Sequence, residues 1–171
     1  MTFGGFVGLS TFLPQFFHNQ YQLTAIDAGN LAAAAAFTGS TLRPLGGYLA
    51  DKLGGVRTLT VALAAVFVLY ALASLLLPIG FTAMLFIIGM TFLGIGNGAV
   101  FQLVPQRFRT EIGVATGLVG AFGGIGGFLL PILMGYINLS FHSYTTGWVV
   151  LADFVFIALV VLRILVIVDS D

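Results

Sequence analysis

Long apolar segments separated by short breaks run through the whole sequence. They cover roughly residues 2–17, 28–50, 59–77, 81–104, 112–137 and 146–168, with Pro78, Gly80, Pro105 and the stretch 138–144 among the breaks. About 20 apolar residues at a rise of 1.5 Å cross a 30 Å hydrocarbon core, so each segment reads as a transmembrane helix, the first slightly short. Only 7% of residues are charged. A soluble domain carries about a quarter, so there is too little charge here to solvate a globular surface. The expected fold is an all-α membrane protein, a single domain over 1–171 with about six transmembrane helices and no large extramembrane part. The first segment lacks the basic start of a signal peptide, and its Gly4, Gly8, Thr11 and Gln15 share one helical face.

The few charges set the orientation. Lys52 and Arg57 lie between the second and third segments, and Arg107 and Arg109 between the fourth and fifth. The intervening breaks, at 18–27, 77–80 and 138–146, hold no Lys or Arg. Positive charge concentrates in cytoplasmic loops, so both termini are expected in the cytoplasm of a multi-pass cell-membrane protein. Arg163 can snorkel to the headgroups, and Asp169 and Asp171 should lie beyond the bilayer. A net charge of zero argues against a nucleic-acid surface. Cys is absent, which excludes disulfides and thiolate sites, and His18 and His142 are too far apart in sequence to suggest a metal site. No phosphate-cradling loop appears, no cofactor is implied, and no acids, bases or nucleophiles cluster as an enzyme would need.

Arg43 is the expensive residue, since a charge inside a span costs several kcal/mol, about 2.5–3.5 on insertion scales, unless it faces protein, water or an anion. Ala32, Ala36, Gly39, Arg43, Gly46 and Ala50 repeat at steps of four and three, so Arg43 rides on a small-residue stripe suited to helix contact. Its planar guanidinium can bind an oxyanion through paired N–H donors; a structural or snorkelling arginine is the alternative. On the fourth segment Gly94, Gly96 and Gly98 surround Asn97, whose amide could reach an anion or act as interhelical glue. Gln102 lies about 140° further around a straight helix, so distortion would be needed for both to reach one ligand. The fifth segment carries Gly113, Gly117, Gly120, Gly124 and Gly127 as a stripe for tight packing or for the wall of a narrow passage. Asp153 could carry a proton, pair between helices or face water. Asp27 suits a helix start, and Tyr21, Tyr144 and Trp148 read as interfacial anchors.

The run GYLADKLGGVR, from Gly47 to Arg57, resembles the loop motif that the major facilitator superfamily places between the second and third helices of each half. The resemblance implies a cytoplasmic gate made by Gly47, Asp51, Lys52, Gly54 and Arg57, with Arg107 and Arg109 as candidate partners of Asp51. More narrowly, TFGGFVGL at 2–9, GSTLRPLGG at 39–47, GIGNGAVFQ at 94–102 and ATGLVGAFGGIGGF at 115–128 resemble the nitrate/nitrite porter family. That resemblance implies the C-terminal half of a twelve-helix transporter moving nitrate or nitrite by alternating access. Arg43 would bind substrate, with Asn97 as a second candidate, and Gly117, Gly120, Gly124 and Gly127 would line the passage or pack. An N-terminal half or a second copy would be needed to close the passage, because such sites lie between repeats near the midplane. A facilitator of another small solute and a truncated, non-transporting membrane subunit stay open as alternatives.

Overall fold

A computed structural model of the chain describes residues 1–168, which form seven helices and short turns; Asp169 and Asp171 lie outside the described residues. The helices are α1 (Thr2–Tyr21), α2 (Ala25–Thr41), α3 (Arg43–Leu53), α4 (Gly55–Ala73), α5 (Ile79–Arg107), α6 (Ile112–Phe141) and α7 (Thr145–Val168). By length and apolarity α4, α5, α6 and α7 can each cross a bilayer.

The helix ends have local causes. Before α2, Thr24 Oγ1 accepts from the Asp27 N–H at 3.1 Å and donates to the Asp27 carboxylate at 2.7 Å, a reciprocal cap that places the acid in the first turn. Where the sequence predicts one span over 28–50, the chain makes two helices. Pro44 has no N–H to offer Ser40 and its ring crowds that carbonyl, so the helix breaks at Leu42 and restarts at Arg43. The turn is slight: Leu42 N–H still donates to Thr38 and Gly46 N–H to Leu42. Gly54, at φ 93°, occupies the left-handed half of backbone space and allows α3 to pass directly into α4. The apolar run 59–77 suggests a later helix than the one formed, because helix hydrogen bonding begins at Gly55 and Leu76, with φ 47°, turns the chain before Pro78.

α5 lies at the centre, against α1, α2, α3 and α4, while α6 packs on α1 and α7 on α4. Two ends can be told apart. At one, Gly55 sits against Leu103, joining the start of α4 to the end of α5 beside the helix ends and turn that hold Lys52, Arg57, Arg107 and Arg109. At the other, the Tyr21 hydroxyl donates to the Leu77 carbonyl at 2.6 Å and Asn19 Nδ2 to the Tyr144 hydroxyl at 3.2 Å.

That second end is filled by aromatic rings. Trp148 is fully buried with ring centroids of Phe86 at 4.8 Å, Phe16 at 5.1 Å, Tyr70 at 5.9 Å and Phe12 at 6.0 Å. Edge-to-face and tilted contacts at these separations contribute about 0.5–1.5 kcal/mol each beyond area burial. Trp148 and Tyr144 are therefore core residues, not the interfacial anchors their positions suggest. Rings from α1, α4 and α5 enclose the indole and leave it no path to a headgroup. Tyr21 is half-buried and ties α1 to the turn before α5. Asp153 and Arg163 lie on the exposed side of α7.

Candidate functional site

The restart at Arg43 matters because of what lies opposite. A Cβ on Gly98 would overlap the Arg43 carbonyl oxygen, one on Gly46 the Ile95 carbonyl, and one on Gly94 the Gly39 carbonyl. Glycine at these three positions brings α2 and α3 against α5, backbone to backbone. Arg43 and Asn97 thereby come to one open cavity of about 540 Å³, shared with Gly47, Tyr48 and Asp51 of α3 and Phe101 and Gln102 of α5.

The polar groups in this cavity are incompletely used. The Arg43 guanidinium carbon stands 4.3 Å above the centroid of the Phe6 ring, which α1 supplies from the core. A cation over an aromatic face gains about 0.5–2 kcal/mol and is held without a neutralising charge. Among the described residues no carboxylate pairs with Arg43, and its Nε is buried without a hydrogen-bond partner. Asn97 is 1% exposed, and its Oδ1 also lacks a partner. A buried polar atom without a partner costs about 1–3 kcal/mol, and both of these belong to side chains that line the cavity with their other polar groups. Gln102 Nε2 donates to Asp51 Oδ1 at 2.6 Å, bridging α5 and α3 at the mouth. Asn97 and Gln102 both line the cavity although α5 is continuous from Ile79 to Arg107, because the cavity is wide and Gln102 reaches sideways to Asp51.

The other residues singled out in the sequence separate into groups. Gly47 and Asp51 line the cavity. Lys52, Gly54 and Arg57 are exposed at the α3–α4 turn, where Lys52 Nζ lies 4.7 Å from the Tyr48 ring centroid. The glycines of α6 divide by face. A Cβ on Gly127 would meet Val7 at 2.7 Å, so Gly127 packs on α1, whereas Gly117, Gly120 and Gly124 have nothing within 4 Å of a Cβ. Phe6 belongs to the site and was not singled out, since hydropathy gives a phenylalanine under a guanidinium the same value as any core phenylalanine.

The family model of the major facilitator superfamily matches residues 1–129. The chain belongs to the major facilitator superfamily. With its long apolar helices it is a multi-pass membrane protein of a transporter family. Among similar proteins, the "Probable nitrate transporter NarT" of Staphylococcus carnosus is 38% identical over 153 residues, 87% of this chain and 38% of that protein. The "Nitrite extrusion protein" of Bacillus subtilis is 35% identical over 157 residues, 90% of this chain and 39% of that protein. The "Probable nitrate transporter NarT" of Staphylococcus epidermidis is 34% identical over 164 residues, 94% of this chain and 41% of that protein. The chain thus spans about two fifths of the length of these relatives.

Proposed function

We propose that the chain forms one half of a nitrate/nitrite transporter that works by alternating access, with Arg43 as its anion ligand. The observation that carries this reading is that Arg43, held over the Phe6 ring rather than by a carboxylate, lines one cavity together with the buried amide Asn97. Nitrate and nitrite are planar monoanions that accept hydrogen bonds through oxygen. A guanidinium offers such a group parallel N–H donors in its own plane, which the point charge of a lysine does not. The Asn97 amide adds N–H donors from α5. The names of the relatives, for nitrate transport and nitrite extrusion, agree with a ligand of this class.

Asp51 and Gln102 close one side of the cavity as a latch beside the basic turns. Positive charge at that end supports a cytoplasmic location for it and for both termini in a cell-membrane protein. The open glycines Gly117, Gly120 and Gly124 line the passage, which an N-terminal half or a second copy closes from the other side. The chain binds and moves a solute and transforms none.

The test is uptake of labelled nitrate by the transporter that contains this chain, reconstituted in proteoliposomes with competitors present. Nitrite should compete, and neutral sugars or organic acids should not. Absence of nitrate uptake, or displacement by an organic solute, would refute the proposal.

A further inference from the structure

Arg43 and Asn97 carry two buried atoms of complementary hydrogen-bonding character. Arg43 Nε–H is a donor, Asn97 Oδ1 is an acceptor, and neither has a partner. Both atoms are closed off by the packing of the helices, so an anion in the cavity does not reach them. A partner for either must come from the protein, and leaving both unsatisfied is unfavourable.

Backbone contacts bring the two side chains to one level. A Cβ on Gly94 would overlap the Gly39 carbonyl, and one on Gly98 the Arg43 carbonyl. Asn97 follows Gly94 by three residues and precedes Gly98, so it stands on the face of α5 that meets α2 and α3. A Cβ on Gly39 would also meet the Phe6 ring at 2.6 Å, and the Arg43 guanidinium carbon lies 4.3 Å above that ring. Helical side chains lean toward the N-terminus of their own helix. Arg43 therefore runs back from the Gly98 contact toward the Gly39–Gly94 contact, the interval of α5 that Asn97 occupies. Asn97 has the only polar side chain between Leu93 and Phe101. The carboxylate of the cavity, Asp51, stands eight residues further along α3, about 12 Å away, and its Oδ1 accepts from Gln102.

We propose that Asn97 is a positioning residue for Arg43: on anion binding, Arg43 Nε–H donates to Asn97 Oδ1 and fixes the heading of the guanidinium plane. This inference rests on Arg43 as the anion ligand. The Phe6 ring limits how far the plane leans but leaves it free to rotate above the ring. A hydrogen bond at Nε removes that rotation and leaves both Nη groups for a planar oxyanion. Nε–H is coplanar with those donors, so capture of the anion and closure of the Asn97 bond favour one another. The two atoms are not bonded to each other here, and the broad last torsion of an asparagine lets the amide turn to close the bond.

The test uses the transporter that contains this chain, labelled with 15N-arginine, with nitrate as the probe. The Nε–H signal that is lost in Arg43→Lys belongs to Arg43. Its exchange with water should slow when nitrate is added to the wild type, and should not slow in Asn97→Leu. By calorimetric titration Asn97→Leu should bind nitrate about tenfold or more weakly, the effect of one hydrogen bond to a charged group. In an Arg43→Lys background, which has no planar fork to orient, the same substitution should cost less than about threefold. Comparing the two backgrounds subtracts any contact that the amide makes with the anion directly. Equal losses in both backgrounds, or wild-type Nε–H exchange that nitrate leaves unchanged, would overturn the pairing while leaving Arg43 as the ligand. A wild type that binds no nitrate would instead overturn Arg43 as the ligand.

Discussion

At the scale of single residues, the site is an arginine whose charge is balanced by an aromatic face and by what the cavity admits. Phe6→Leu keeps an apolar core residue and removes the ring beneath the guanidinium. Nitrate affinity should fall by about 2- to 30-fold, matching a cation–π contribution of roughly 0.5–2 kcal/mol, with little change in melting temperature. Calorimetric titration of nitrate alongside thermal unfolding checks both halves of that expectation. Gln102→Ala removes the donor that holds Asp51 Oδ1, so the end with the basic turns should open more readily. A cysteine placed at Tyr48 should then react faster with a membrane-impermeant thiol reagent. Arg43 was legible from sequence because an intramembrane charge must have a reason. Phe6 was not, because its role depends on a contact between α1 and α3 that no local pattern encodes.

At the scale of elements, glycine decides which helices touch. Gly98→Ala places a Cβ on the Arg43 carbonyl, and neither backbone can yield without moving α3 from α5. Overpacking of this kind costs about 1–3 kcal/mol, so the melting temperature should drop and nitrate affinity with it. On α6 the two faces should respond oppositely. On the face toward α1, Gly127→Val forces a side chain onto Val7, 2.7 Å from a Cβ, and should destabilise the α1–α6 contact. Gly124→Ala meets no neighbour here and should keep or raise stability by about 0.5–1 kcal/mol through helix propensity, while slowing uptake if the passage runs along that face. Unfolding curves and uptake rates, measured together, separate packing glycines from passage glycines. The stripe itself could be read from spacing. Its division could not, because a period of three and four marks a face without saying what lies opposite. The break at Leu42 had its signal in Pro44, masked by the unbroken apolarity of 28–50.

At the scale of the whole molecule, one end is pinned by aromatic packing and the other carries the basic turns. Trp148→Ala should cost about 3–5 kcal/mol and collapse the aromatic cluster, whereas Trp148→Phe also removes an indole N–H that has no acceptor and should cost less. Detergent-based thermal denaturation would show the difference. Hydropathy and the Gly47 to Arg57 motif made the all-helical membrane fold legible, since bilayer thickness dictates span length. The burial of Trp148 was hidden because an aromatic residue at a span end suits an interface and a core equally well. Transport by this site turns on whether Arg43 holds a planar anion through paired donors. Calorimetric titration of nitrate into the intact transporter, wild type against Arg43→Lys, tests it most directly. With charge kept and the planar fork lost, affinity should fall by at least about tenfold while the melting temperature is held. Wild-type affinity in the Arg43→Lys protein would contradict a paired-donor role for Arg43.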